Sequence, residues 1–449
     1  MIPNLDFITS LLNIREEDIL DISVINTQDT LYFCLRIKDG KRTCPYCASA
    51  LISHGWGREK PIIHPILREK KCTLLFKPRR YLCKRCRKTF SQENPFAFAR
   101  FRSSYVMLRS VLMKLGDLHY TLKMIAEELH ISETQICRYL DSYVTIPETP
   151  LPECLGIDEI HNPELAYKGS SYLCILADNE NRRIYDVLGS RSKHYLDNHF
   201  ASRSRNEKDR VRYVTIDMWE PYKDIAGKHF RNALVAVDPF HVVEHLCRDF
   251  MRLRIRTMDR TEYGSNAYYL LKKWHWLLEK DNVELDNEPQ YNNRFRTKLN
   301  RRQIKDMILD LFPELAQAYY LKERYRFFSR EMSYEEAREN YDALLEEFEN
   351  SGIYEYREFT GLLRRWKKEI LNSFLRPYGD RKLTNAFTEN LNGKLAEYLT
   401  LSRGIANFRR FRKRVLYALN PQVFYSLTSF LKDEEKPGKK RGPYRKKEG

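Results

Sequence analysis

No run of about 18 apolar residues occurs in the 449-residue chain, so a membrane-spanning helix is not expected. The start, Met1-Ile-Pro-Asn-Leu-Asp, lacks a basic segment leading into an apolar one, which argues against a secretory leader. A disulfide framework is missing as well. Of ten cysteines, four form two Cys-x-x-Cys pairs and the rest are scattered among apolar residues, a pattern suited to a reducing cytosol with one metal site. No internal repeat is visible. Acidic side chains are outnumbered, 61 against 78 Lys and Arg, giving a formal charge of +17. That excess implies a polyanionic partner, although ribosomal, membrane-surface and DNA-binding proteins all share it. Apolar residues make up 42% of the chain, enough for a sizeable core, and the length implies several domains.

Composition and periodicity divide the chain into a β-rich, cysteine-bearing segment (1–100), a helical segment (101–146), a proline-rich linker (147–152), a strand-rich core (153–245), a long helical stretch (246–380), a further helical block (381–430) and a basic tail (431–449). Cys44-Pro-Tyr-Cys47 and Cys83-Lys-Arg-Cys86 have the spacing of two zinc knuckles. A module this small rarely gains more than about 3–5 kcal/mol from its core. A structural zinc contributes roughly 10–16 kcal/mol in peptides, so metal would decide folding. His54, His64 and Cys72 lie between the pairs, but four thiolates already complete a tetrahedron, so one Zn²⁺ on Cys44, Cys47, Cys83 and Cys86 is expected.

Residues 122–140 carry a helix-turn-helix rhythm: Leu122, Ile125, Leu129, Ile136 and Leu140 supply a shared core, Ala126 allows close approach, Ile131 plugs the turn and Ser132 caps the second helix. Thr134, Gln135 and Arg138 would project towards phosphates and base edges, with Ser132 beside them. A plain helical hairpin is the bland alternative. The block from Arg403 to Arg414, including Arg410, is basic with Ile405, Phe408 and Phe411 interleaved, which reads as a phosphate-contacting or merely solvated face.

Three apolar strands end in acid: Leu155-Gly-Ile-Asp158, Val214-Thr-Ile-Asp217 and Val235-Ala-Val-Asp238. Buried strand-end acids are disfavoured unless they pair or bind metal. In an RNase H-like sheet the first and fourth strands adjoin, so Asp158 and Asp217 would face one another and repel unless cations lie between them. Two Mg²⁺ or Mn²⁺ ions would satisfy them and suit phosphodiester chemistry. A third ligand must come from a helix. Glu389 lies off the stripe Leu383, Phe387, Leu391, Leu395, yet composition alone does not single it out.

Several blocks together resemble the ISL3 family of insertion-sequence transposases: the Cys-Pro-x-Cys pair, Arg79 to Phe90, Gly156-Ile-Asp158-Glu, Val214-Thr-Ile-Asp217-Met-Trp-Glu-Pro-Tyr222, Val237-Asp238-Pro-Phe-His241-Val-Val, Thr388-Glu389-Asn-Leu-Asn392-Gly-Lys and Ser402-Arg403-Gly404 through Phe411. The likeness covers nearly the whole chain. It implies an RNase H-like α/β catalytic domain interrupted by a large helical insertion, within a multidomain α+β protein that also carries a zinc ribbon and a helix-turn-helix. It further implies Asp158, Asp217 and Glu389 as Mg²⁺ ligands, and binding to terminal inverted repeats. Asp238 and His241 are expected beside the ligands; a strand-end role for Asp238, and a packing or DNA-facing role for His241 and His245, stand as alternatives. Pro239 departs from the basic residue the family pattern leads one to expect. The expected partner is double-stranded DNA, bound by a homodimer in the bacterial cytoplasm at the nucleoid, with neither membrane nor small-molecule cofactor. A non-catalytic DNA-binding regulator and an RNase H-like nuclease without joining activity remain the rival readings.

Overall fold

The computed structural model describes residues 9, 12, 14–38, 43–66, 69–98, 101–280, 283–402 and 405–427. The chain forms two compact units, Met1–Glu148 with Leu395–Gly449, and Thr149–Lys394.

In the first unit, alternating apolar residues build strands β1 (Ile19–Asn26), β2 (Thr30–Ile37), β3 (Leu51–Trp56), β4 (Lys60–Ile63), β5 (Lys71–Phe76), β6 (Arg79–Cys83) and β7 (Thr89–Ser91). They make two sheets, β1-β2-β5-β4 and β3-β6-β7. The four-stranded sheet buries Phe33, Leu35, Ile62, Leu74 and Phe76 on one side against Phe96. Helices α1 (Tyr105–Leu115), α2 (Leu122–Leu129) and α3 (Glu133–Tyr143) follow. Ser104, Thr121 and Ser132 cap them, each side chain accepting a backbone N–H of the first turn. After α3 the two-residue strand β8 (Val144–Thr145) pairs with Phe424–Tyr425.

The second unit holds a five-stranded sheet ordered β11-β10-β9-β12-β13. Its strands are β9 (Cys154–His161), β10 (Tyr172–Asp178), β11 (Arg183–Leu188), β12 (Tyr213–Ile216) and β13 (Leu234–Val237). The first three form an antiparallel meander, whereas β12 and β13 run parallel to β9. The meander turns at Asp178, whose carboxylate accepts from Asn181 and Arg183. Parallel addition of β12 requires a crossover, supplied by α4 (Lys193–Ala201), and α5 (Glu220–His229) joins β12 to β13. Central strands covered on both faces are mainly apolar, as β9 is up to Asp158 and β10 up to Asp178.

Beyond β13 comes α6 (Pro239–Asp259), then a helical stretch including Arg301–Leu311, Pro313–Glu331, Tyr334–Asn350 and Tyr356–Arg365. Its apolar faces are continuous with the sheet's core, through Phe250, Tyr325, Phe328 and Phe359 among others. The stretch is not wholly helical: Gln290–Asn292 and Thr297–Leu299 form a hairpin that the periodicity did not indicate. Helix α7 (Ala386–Leu401) returns to the sheet. Leu383, expected on its apolar stripe, is buried but precedes the helix, and the buried positions along α7 are Thr388, Leu391, Leu395 and Tyr398. The segment 381–430, read from sequence as one helical block, divides at Leu395, and the helix Phe408–Leu419 packs on α1 and α3 in the first unit. Among the described residues no helix is long and apolar enough to cross a membrane.

Candidate active site

Register places the first two acids. Strands β9 and β12 pair with Ile157 opposite Ile216, so Asp158 and Asp217 follow at matched positions on neighbouring strands. Asp158 lies within β9 rather than at its end, since the strand runs on to His161. Next along the sheet, Val237 pairs with Ile216 and Asp238 follows β13. Asp238 caps α6 by accepting from Phe240 N at 2.8 Å, and Pro239 occupies the first helical position, where its missing N–H is not needed. Both Asp158 and Asp238 are buried.

One turn into α6, His241 Nε2 lies 3.3 Å from Glu389 Oε1 on α7. Burial pushes the Asp158 carboxyl up to about 7, and the charges of Glu159 and Asp217 add to it while His241 opposes. Asp217 is pushed up to about 6, by burial first and then by Glu159, against His241 and Arg191. Asp238 is raised too, by burial foremost. The hydrogen bond with Glu389 lifts His241 to about 9, and the charge of Asp238 adds to it. Carboxyls of Asp158, Glu159, Asp217, Asp238 and Glu389 thus share this end of the sheet with the cationic His241 and Arg191. Acid in such excess is costly without further positive charge, and a hard all-oxygen donor set suits Mg²⁺ or Mn²⁺. The carboxylate oxygens are not drawn as close together as the thiols described below. Among the described residues only the cysteines place three or more ligand atoms within 4.8 Å of one another.

Neighbours that the sequence did not single out complete the site. Glu159 is held by Arg191 and by Tyr222 Oη at 2.7 Å. Arg191 is in turn stacked between the rings of Tyr172 and Trp219, 3.7 and 4.6 Å from their centroids. Asn179, Thr215, Asn385 and Thr388 are buried together under the start of α7 and hydrogen-bond to one another. Thr215 and Thr388 lie inside blocks of the family likeness, but nothing in the sequence brought the four together, because they come from three distant segments and carry no motif chemistry of their own.

In the first unit, Cys44 and Cys86 have sulfurs 3.6 Å apart, and those of Cys47 and Cys83 are 3.5 Å apart. All four lie within 4.8 Å of one another. Zn–S bonds of about 2.3 Å in a tetrahedron put sulfurs about 3.8 Å apart, so the cluster fits one such ion. The rival donors are elsewhere: His64 is buried against Ser104 and Cys72 against Lys70 O, while His54 is exposed on β3.

Helices α2 and α3 enclose Ile125, Leu129, Ile131, Ile136 and Leu140, with His130 in the left-handed conformation at the turn. Ser132, Thr134 and Arg138 are exposed at the start and along α3. Gln135 is not: its amide donates to Ser103 Oγ and Tyr139 Oη, both at 2.6 Å, so it is spent on packing. The basic block differs from expectation more strongly. Arg414 is 2% exposed and donates to the carbonyls of Lys114, Asp117 and Tyr120, which makes it a tie between helices and no phosphate contact. Arg410 is half-exposed and paired with Asp141 at 2.9 Å. Arg403 and the basic tail lie outside the described residues.

Residues 155–415, more than half of the chain, match the family model of ISL3-type DDE transposases, described as transposase. A transposase for insertion sequence element IS1001 from Bordetella parapertussis is 23% identical over 292 residues, 64% of this chain and 63% of that protein. The chain therefore spans a little under two thirds of that curated relative's length. It belongs to the ISL3 family of transposases.

Proposed function

We propose that the chain is a DNA transposase that binds the terminal inverted repeats of an insertion sequence, cuts at the element's end and joins the freed end to target DNA. The observation that carries this reading is the matched register of β9 and β12, which sets a buried and a half-buried carboxyl at neighbouring positions at one end of the sheet, where His241 also meets the helix-borne Glu389. The strand order β11-β10-β9-β12-β13, with its antiparallel meander and two added parallel strands, supports an RNase H-like core. Asp158, Asp217 and Glu389 would hold two divalent cations, Mg²⁺ or Mn²⁺, whose chemistry is to activate the attacking oxygen and stabilise the leaving one.

The chain's own residues do the rest. The three carboxylates fix where the scissile phosphate lies, and His241 screens Glu389 until the site is filled. Water attacks the phosphodiester first; the 3′-hydroxyl so released then attacks the target strand, and no covalent bond to the protein forms. The four cysteines would hold one structural Zn²⁺, and α2 with α3 would dock double-stranded DNA, with Thr134 and Arg138 outward at the start of the second helix. Two ends need two such sites, so the working form is a homodimer, acting on DNA in the bacterial cytoplasm.

The test is Asp217→Asn. End cleavage with Mg²⁺ should be lost while a gel shift with end-containing DNA is unchanged; strand transfer surviving in that variant would refute the assignment. Cutting without joining by the unaltered protein would favour a nuclease, and binding with neither would favour a regulator.

A further inference from the structure

Glu389 is the one proposed ligand that does not sit on the sheet, so something must hold its helix in register. Apolar packing is non-directional and tolerates sliding, whereas metal ligands must be held within about 0.5 Å of their working positions. The contact between the sheet and the first turn of α7 is polar and buried. Asn385 and Thr388 have no exposure at all, Thr215 is 1% exposed and Asn179 is 9% exposed. Asn179 Nδ2 donates to Thr215 Oγ1 at 2.6 Å, and Thr215 Oγ1 donates to Asn385 Oδ1 at 3.1 Å. Thr388 Oγ1 donates to Asn179 Oδ1, also at 3.1 Å, closing a ring between the helix, the β10–β11 turn and β12.

These bonds land on an acid or within two residues of one. Asn385 Nδ2 donates to Ile157 O, just before Asp158, and Asn385 N donates to Asp238 Oδ2. Thr215 is two residues before Asp217, hence on the same side of β12. Thr388 directly precedes Glu389, and Asn392 Nδ2 donates to Glu159 O from the next turn of α7. Apolar side chains would bury the same contact without the desolvation of four polar groups. A fully satisfied ring adds direction, which apolar packing cannot. Gly156 makes room for it: a Cβ there would lie 2.5 Å from both Asn179 Nδ2 and Thr388 Oγ1.

From this geometry we infer that Asn179, Thr215, Asn385 and Thr388, closed over Gly156, form a latch that positions Glu389 and Asp238 against Asp158 and Asp217 before any cation arrives. The four are positioning residues and touch no substrate. The inference rests on the carboxylate assignment proposed above.

The experiment uses the full chain, titrated with Mn²⁺ alone and followed by the loss of the free-ion electron paramagnetic resonance signal. End cleavage against Mn²⁺ concentration is measured in parallel. Thr388→Val keeps the side chain's shape and removes its hydroxyl. It should raise the half-saturating Mn²⁺ concentration on the order of 10–100-fold, the usual effect of removing a group that orients a ligand. Excess Mn²⁺ should restore most of the cleavage, and the gel shift should not move. Thr388→Ser, which keeps the hydroxyl, should return the titration to within a few-fold of the original, and Asn385→Ala should behave like Thr388→Val. A latch that merely stabilised the fold would lower the melting temperature in step with lost Mn²⁺ sites and would not be rescued by more ion. Unchanged Mn²⁺ binding in Thr388→Val and Asn385→Ala, when Asp158→Asn has lost it, overturns the latch alone. Mn²⁺ binding that ignores Asp158→Asn overturns the carboxylate assignment, and the latch with it.

Discussion

At the scale of single residues, the acids at the sheet's end are kept at the expense of stability. Burial holds Asp158 near 7 and Asp217 near 6, both above their unfolded values, so between about pH 4 and 7 the folded, metal-free chain binds protons that the unfolded chain has released. His241, raised to about 9, contributes stability that is complete below its unfolded value near 6.5 and is lost as pH rises through 9. The signs agree: with a chelator present, this cluster makes the melting temperature fall as pH rises from about 4 to about 9. Divalent cations should reverse the trend most strongly above pH 7, which thermal melts with and without Mg²⁺ will show. By the same argument, Asp158→Asn removes a buried charge without changing shape. It should abolish end cleavage yet stabilise the metal-free chain at pH 8 by about 1–3 kcal/mol in denaturant unfolding. A destabilised Asn variant would mean that the carboxylate is already paired.

At the scale of elements, two features were easy to read and one was not. Strands β9, β12 and β13 announced themselves as apolar runs ending near an acid, because a buried parallel strand needs apolar side chains on both faces. The cysteine pairs were equally plain, since tetrahedral ligation tolerates little variation in spacing. The helix Phe408–Leu419 was misleading. Its arginines alternate with apolar residues, as on a DNA-facing helix, but Arg414 points inward to three carbonyls at and beyond the end of α1. A buried cation bonded to carbonyls looks the same in sequence as an exposed one. Arg414→Ala would leave those carbonyls without their donor and a cavity beside Tyr398 and Phe411, so a loss of about 2–4 kcal/mol is expected in denaturant unfolding of the full chain. Arg410→Ala, removing a half-exposed pair with Asp141, should cost about 1 kcal/mol or less.

For the whole molecule, the division at Glu148 and Leu395 gives two units with separate cores. Under the zinc assignment proposed above, the first would depend on metal to organise its small three-stranded sheet, while the second has a large apolar core of its own. Zinc removal should therefore unfold the cysteine-bearing sheet of the first unit and spare the second unit. A strong thiol-directed chelator is expected to lower only one of two calorimetric transitions and to expose the region around 43–91 to protease, with residues 149–394 still protected. A single transition falling as a whole would show that the units are energetically inseparable.

The chain's order of residues by itself determined the thiol cluster, the apolar strands with their acids, the helix-turn-helix and the family likeness. These are local, since spacing, alternation and caps act over a few residues. Tertiary structure alone decided that Gln135 and Arg414 turn inward, that β9 runs past its acid, and that Asn179, Thr215, Asn385 and Thr388 meet around Gly156. Those outcomes depend on which surfaces become neighbours once the sheet closes, and a hydrogen bond between residues two hundred positions apart leaves no periodicity to read.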